Sequence, residues 1–174
     1  MKFFSDIRLL ILAIWLGAAV FFIGVAQTAF AVLPERELAG AVVNRNLLIL
    51  NIGGVGIALF MLLTSLVATA RISPFWLWIE RFLLLLLGAA CAVGQFVIGF
   101  WLASLRGQMG RPIDEVAVDD PLRIQFNTLH QYSIWVLMAA MGAGLIAFFI
   151  ISNRKFAGKA VADDPYDFSK EFKA

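Results

Sequence analysis

The side chains able to do chemistry in this sequence are few and widely spaced. The chain has one histidine, His130, and one cysteine, Cys91. His130 lies in FNTLHQYS, where Phe126, His130 and Ser133 recur at helical spacing and share one stripe. An imidazole there could pass protons or ligate a metal, since its unperturbed pKa is about 6.5. The plainer expectation is a hydrogen bond to a neighbouring loop that holds the start of the last helix. Metal chemistry needs companions. The soft donors available are Cys91, Met109, Met138 and Met141, with no second histidine and no zinc-type spacing. Neither a metal nor another cofactor is therefore expected, and haem ligation by two histidines of this chain is excluded. A nucleophile, a base and oxyanion donors converge nowhere, so an enzyme is not expected.

Gln27, Asn51 and Gln95 each interrupt an apolar run, and with His130 they fall at comparable depth on four different segments. Polar groups of this kind turn toward one another when lipid cannot satisfy them. Two arrangements follow: hydrogen bonds between helices, or a small hydrated vestibule. Glu80 and Arg81 stand a few residues after Pro74. They are expected to form an interfacial charge pair, with Glu80 favoured by the helix dipole and Trp76 and Trp78 in the aromatic belt.

The elements that position these residues are dictated by composition. Of 174 residues, 61% are hydrophobic and 15% charged, with a mean hydropathy of +0.88. A membrane protein is expected, with the lipid bilayer as its first partner. A net charge of +2 with scattered basic residues excludes nucleic acid. Four runs, 9–33, 47–69, 75–105 and 132–152, are each long enough for a span of about 20 residues and too continuously apolar for barrel strands. The expected fold is all-α: one four-helix transmembrane domain over 1–156, with a polar tail over 157–174. In that tail Phe168 and Phe172 could form a small docking face. The first run has the flanks of a secretion signal, including Ala29 and Ala31, but its span-like length predicts a retained helix.

Turn chemistry refines this outline. Ser73 and Pro74 predict a cap and first turn for the third helix, and Asp120 and Pro121 do so for the fourth. Pro34 can open a helix running into the second span. From Pro34 to Thr69 that helix would be about 54 Å long against a core of about 30 Å. Helices 2 and 4 are therefore expected to extend beyond the membrane on the non-cytoplasmic side. Every lysine falls on the side of the two termini, which predicts both termini in the cytoplasm of a plasma or bacterial inner membrane. Gly17, Gly24, Gly53, Gly54, Gly56, Gly88 and Gly144 offer close helix contact.

FAVLPERELAG (30–40) and FNTLHQYS (126–133) together resemble the uncharacterised four-helix membrane proteins similar to transmembrane protein 205, grouped as domain of unknown function 4149. The matching positions are Phe30, Leu33, Pro34 and Gly40, then Phe126, His130 and Ser133. The resemblance implies a bundle without established catalysis. Some relatives are associated with metal-drug tolerance, and the family is distantly similar to copper-resistance membrane proteins, whose multiple metal ligands this chain lacks. On this reading His130 is a polar latch between the start of helix 4 and the segment after Pro34. The expected function is a structural or accessory subunit, with other membrane protein subunits as partners. The alternative is a small permease or ion-handling protein using Gln27, Asn51, Gln95 and His130. A third reading is a redox protein sharing haem or copper with another chain.

Overall fold

A computed structural model describes residues 2–67 and 74–153. Helix α1 spans Lys2–Val32, α2 Arg36–Val67, α3 Pro74–Ala92, α4 Gly99–Met109 and α5 Pro121–Ser152. A wide π turn, Val93–Ile98, joins α3 to α4 in one rod, and a 3-10 turn, Ile113–Glu115, lies before α5. Among the described residues, counting Pro74–Met109 as one, four helices are long and apolar enough to cross a membrane. No strand occurs among the described residues. The all-α four-helix bundle is therefore the fold, and the chain is an integral membrane protein.

Local chemistry sets the helix ends. Pro74 is the first residue of α3, where its missing N–H costs nothing. Asp120 caps α5: its Oδ1 accepts from Leu122 N at 2.8 Å, and Pro121 follows at the first position. Gly110 ends α4 at φ 61°, a left-handed conformation that glycine adopts without steric cost. Two boundaries differ from expectation. Pro34 lies in the link between α1 and α2 rather than opening α2, which begins at Arg36 after a bond from Ala39 N to Glu35 O. The third span runs to Met109, because the polar residues after Leu105 continue the helix instead of leaving it. Ser73 and the 157–174 tail, with Phe168 and Phe172, lie outside the described residues.

Around the bundle the order is α1, α2, α3, α5, each packed on the next and α5 closing on α1, while α4 packs on α5. The core joins Leu12, Trp15 and Ala19 of α1 to Ala58 and Met61 of α2, Leu84 and Leu87 of α3, and Ala143 and Ala147 of α5. Outside, Phe21, Trp78, Phe100 and Trp135 are largely exposed. Water would penalise so much bare apolar surface; lipid solvates it.

Three of the small residues expected at contacts are there. A Cβ added to Gly54 would lie 2.5 Å from Cys91 Sγ and 3.0 Å from Trp15 Nε1. One on Gly88 would lie 3.0 Å from Ala58 Cβ, and one on Gly144 3.0 Å from Leu87 Cδ1. Gly17, Gly24, Gly53 and Gly56 would meet nothing within 4 Å. The Gly54 approach also lets the Trp15 indole donate to Leu50 O at 3.0 Å.

Gly54→Ala should lower stability by about 1–3 kcal/mol through overpacking. Gly56→Ala, with open space and a helix-propensity gain of up to about 1 kcal/mol, should leave it unchanged or raised. Thermal unfolding of both variants in mild detergent checks the contrast.

Candidate functional site

Two clusters of polar side chains, one at each end of the bundle, and one buried amide between them make up the candidate site. At the end holding the N-terminus, Arg8 lies on the stripe that continues through Leu12, Trp15 and Ala19 into the core. Its Nη2 donates to Glu80 Oε1 at 2.7 Å and to Met61 O at 2.9 Å. Both side chains are shut from solvent, at 2% and 0% exposure. Glu80 reaches this place because it shares a stripe with Leu77, Leu84 and Leu87. The contact therefore ties α1, α2 and α3 together.

This arrangement corrects the expected Glu80–Arg81 pair. Adjacent residues on a helix point about 100° apart and do not face each other. Arg81 instead turns toward α2, where its Nε donates to Ser65 Oγ at 3.1 Å and its Nη2 to Ser65 O at 3.0 Å. Ser65 Oγ itself donates to Leu62 O. Arg81 thus satisfies a carbonyl in the last turn of α2, where a cation also complements the helix dipole. Trp76 and Trp78 remain exposed, as aromatic-belt residues are.

At the opposite end the two motif segments meet, but not through His130. The Arg106 guanidinium lies 5.4 Å from the centroid of the Phe126 ring, in cation–π range. A Cβ on Gly40 would lie 3.6 Å from Arg106 Nη2. Arg106 thus bridges Gly40 of the first motif to Phe126 of the second. His130 is exposed, and its imidazole makes no hydrogen bond among the described residues; Ser133 Oγ donates to the His130 carbonyl at 2.9 Å. The latch therefore belongs to Phe126 and Arg106. A step of four residues overshoots a full turn by about 40°, which carries His130 to the flank of the stripe that Phe126 and Ser133 occupy. Phe30 is exposed, Leu33 half-buried and Pro34 exposed in the link after α1. Arg36 reaches Asp114 at 3.1 Å on the surface, and Arg123 donates to Val116 O, fastening the segment before α5.

The four polar residues expected to share a vestibule do not converge. Gln27 is exposed because it falls beside the Leu12, Trp15 and Ala19 stripe rather than on it. Asn51 is buried on the inward stripe of α2, with Gly54, Ala58, Met61 and Ser65. It faces the π turn: a Cβ on Gly94 would lie 3.4 Å from Asn51 Nδ2. Gln95, in the same turn, is half-buried. Cys91 packs in the core against Gly54, while Met138 is exposed, so these soft donors do not assemble around His130. Among the described residues no three His, Cys, Asp or Glu side chains come together in a way that could hold a metal ion.

A comparison with protein families matches residues 10–111 to one described as Domain of unknown function (DUF4149). The match takes in Asn51, Gly54, Glu80, Arg81, the π turn and Arg106; it stops short of Arg8 at one end and of Phe126 and His130 at the other. No curated protein and no solved structure matches the chain.

Removing one partner of the buried pair, by Arg8→Met or Glu80→Leu, should cost about 3–5 kcal/mol, and the double variant should recover most of it. A double-mutant cycle on detergent unfolding reads this coupling. At the other end, Phe126→Ala should destabilise by at least about 1 kcal/mol, combining lost packing and cation–π attraction. His130→Ala should stay within about 0.5 kcal/mol of the parent in the same assay.

Proposed function

The chain belongs to the family described as Domain of unknown function (DUF4149), and from that premise we propose that it is a non-enzymatic structural or accessory subunit of a larger membrane assembly. The observation that carries this reading is the filled interior. Leu12, Trp15, Met61, Leu84, Leu87 and Ala147 are at most 3% exposed where a solute path between four helices would run. Close packing of this kind suits a scaffold better than a conduit. The wide apolar exterior can take lipid or the helices of neighbouring subunits.

In this reading both termini face the cytoplasm of a plasma or bacterial inner membrane, following the lysine bias. Helices α2 and α5 have 32 residues each, a length of about 48 Å against a core of about 30 Å. Their excess stands on the non-cytoplasmic side, where Arg106, Phe126 and the Arg36–Asp114 pair bind the connecting segments together.

One observation favours a second reading, a small permease or ion-handling protein. Asn51 is 4% exposed, makes no hydrogen bond to another described residue, and faces a π turn. Such turns recur at functional sites, and irregular backbone inside a membrane protein often lines a polar cavity. Purification in mild detergent followed by reconstitution separates the two. The accessory reading expects stoichiometric co-elution with other membrane subunits and no ion flux from the reconstituted chain alone. Elution alone, with a flux that Asn51→Leu abolishes, would reverse the assignment.

A further inference from the structure

A groove of about 500 Å³ runs between α4 and α5 on the face away from the Arg106–Phe126 contact. It lies where both helices change character: the apolar run of the third span ends near Leu105, and that of the fourth begins at Tyr132. The groove therefore straddles the boundary between hydrocarbon and headgroup layers, the level that Trp and Tyr favour.

Its lining has three parts. Leu105 and Leu129 form an apolar floor, Leu105 fully buried and Leu129 half-buried. Trp101 and Tyr132 stand exposed at 55% and 56% and bring two aromatic rings to the lining. Ser104, Gln108, Gln125 and Thr128 supply the polar groups. Some of their capacity is used internally: Gln108 Nε2 donates to Ser104 Oγ at 3.2 Å, and Thr128 Oγ1 donates to Ile124 O at 3.0 Å. Gln125 makes no hydrogen bond to another described residue, so its amide has both donors and acceptors to offer.

No lysine, arginine, aspartate or glutamate lines the groove. Arg106, next in sequence to Leu105, is turned onto Phe126 instead. A phosphate or carboxylate held here would lose water without gaining a countercharge, whereas anionic headgroups are recognised by basic pockets. Amides and hydroxyls that both donate and accept match neutral hydroxyls, which do the same. Aromatic faces match the apolar face of a sugar ring. Along α5, Trp135 and Ile146 continue the face of Tyr132 toward the bilayer centre, and both are exposed. An occupant with acyl chains would find apolar surface directly beneath its headgroup.

We propose that the groove between α4 and α5 binds the neutral, hydroxyl-rich headgroup of a membrane glycolipid, with Trp101 and Tyr132 against the sugar and Gln125 and Gln108 bonding its hydroxyls. The site stands independently of the accessory-subunit reading. The test uses the full chain purified in an amine-oxide detergent, whose headgroup is not a sugar. Retention of diglucosyl diacylglycerol is compared by native mass spectrometry with that of phosphatidylglycerol bearing the same chains, and with free maltose.

The glycolipid should be retained at least about tenfold more tightly than phosphatidylglycerol or maltose. Trp101→Ala and Gln125→Leu should each weaken it about tenfold, without moving the unfolding temperature, since both side chains are exposed. Trp78→Ala, on the exposed surface of α3, should leave binding intact. Equal retention of the two lipids, maltose binding as tightly as the glycolipid, unaltered binding by the two groove variants, or an equal loss from Trp78→Ala would each overturn the assignment.

Discussion

A guanidinium and a carboxylate shut away from solvent on two different helices cannot each be left alone, and the contact between Arg8 and Glu80 organises one end of this molecule. Each charge would cost about 2.5–3.5 kcal/mol at the centre of a spanning helix if nothing met it. Their 2.7 Å contact reaches across the bundle from α1 to α3, which are not packed neighbours, and the bond to Met61 O brings in α2. Rotation is fixed along with distance. Arg8 shares its stripe with Leu12, Trp15 and Ala19, and Glu80 with Leu77, Leu84 and Leu87, so orienting the charges also aims the apolar knobs at the core. Gly54 and Gly144 then let the backbones close to contact.

The two ends of the bundle are held by different forces. At the charged end the interactions are dry, short and helix to helix. At the other end Arg36 and Asp114 are 66% and 46% exposed, and pairs of that kind contribute about 0–1 kcal/mol. Order there comes from Arg106 against Phe126, the Asp120 cap and the bond from Arg123 to Val116. Among the described residues the base, at the charged end, is thus fastened by buried contacts and the crown, opposite, by exposed or partly buried ones. The mixed polar groove belongs to the crown, between α4 and α5.

Much of this was legible in the residues, and the parts that were not share a cause. Span positions follow from apolar runs; Pro74 and the Asp120–Pro121 cap follow from local stereochemistry. Gly40 and Phe126 come together through Arg106, a residue that neither quoted segment contains. Depth along a helix depends on how its neighbours are staggered, and rotation about its axis on which stripe is buried. Trp15 rather than Gln27 lies beside the turn of α2 that holds Asn51, and Gln27 and His130 both face outward. Arg8 was readable in principle, since it continues the Leu12–Trp15–Ala19 stripe, but its partner lies 72 residues away and no local pattern names it. Arg106 likewise gains its role only when α4, α5 and the start of α2 are assembled.

The π turn at Val93–Ile98 left no trace in composition, and its effect is angular. A regular helix advances about 100° per residue, so a turn holding one residue more than the regular ladder resets which way every later side chain looks. Upstream, α3 serves two neighbours, α2 and α5; downstream, α4 serves α5. Excising a single residue from this stretch would let the ladder run straight and swing Trp101, Leu105 and Arg106 together by roughly a quarter of a revolution. The rod behaves as two half-shafts coupled at a fixed offset, and the alignment of the crown with the base is stored in the count of residues between them.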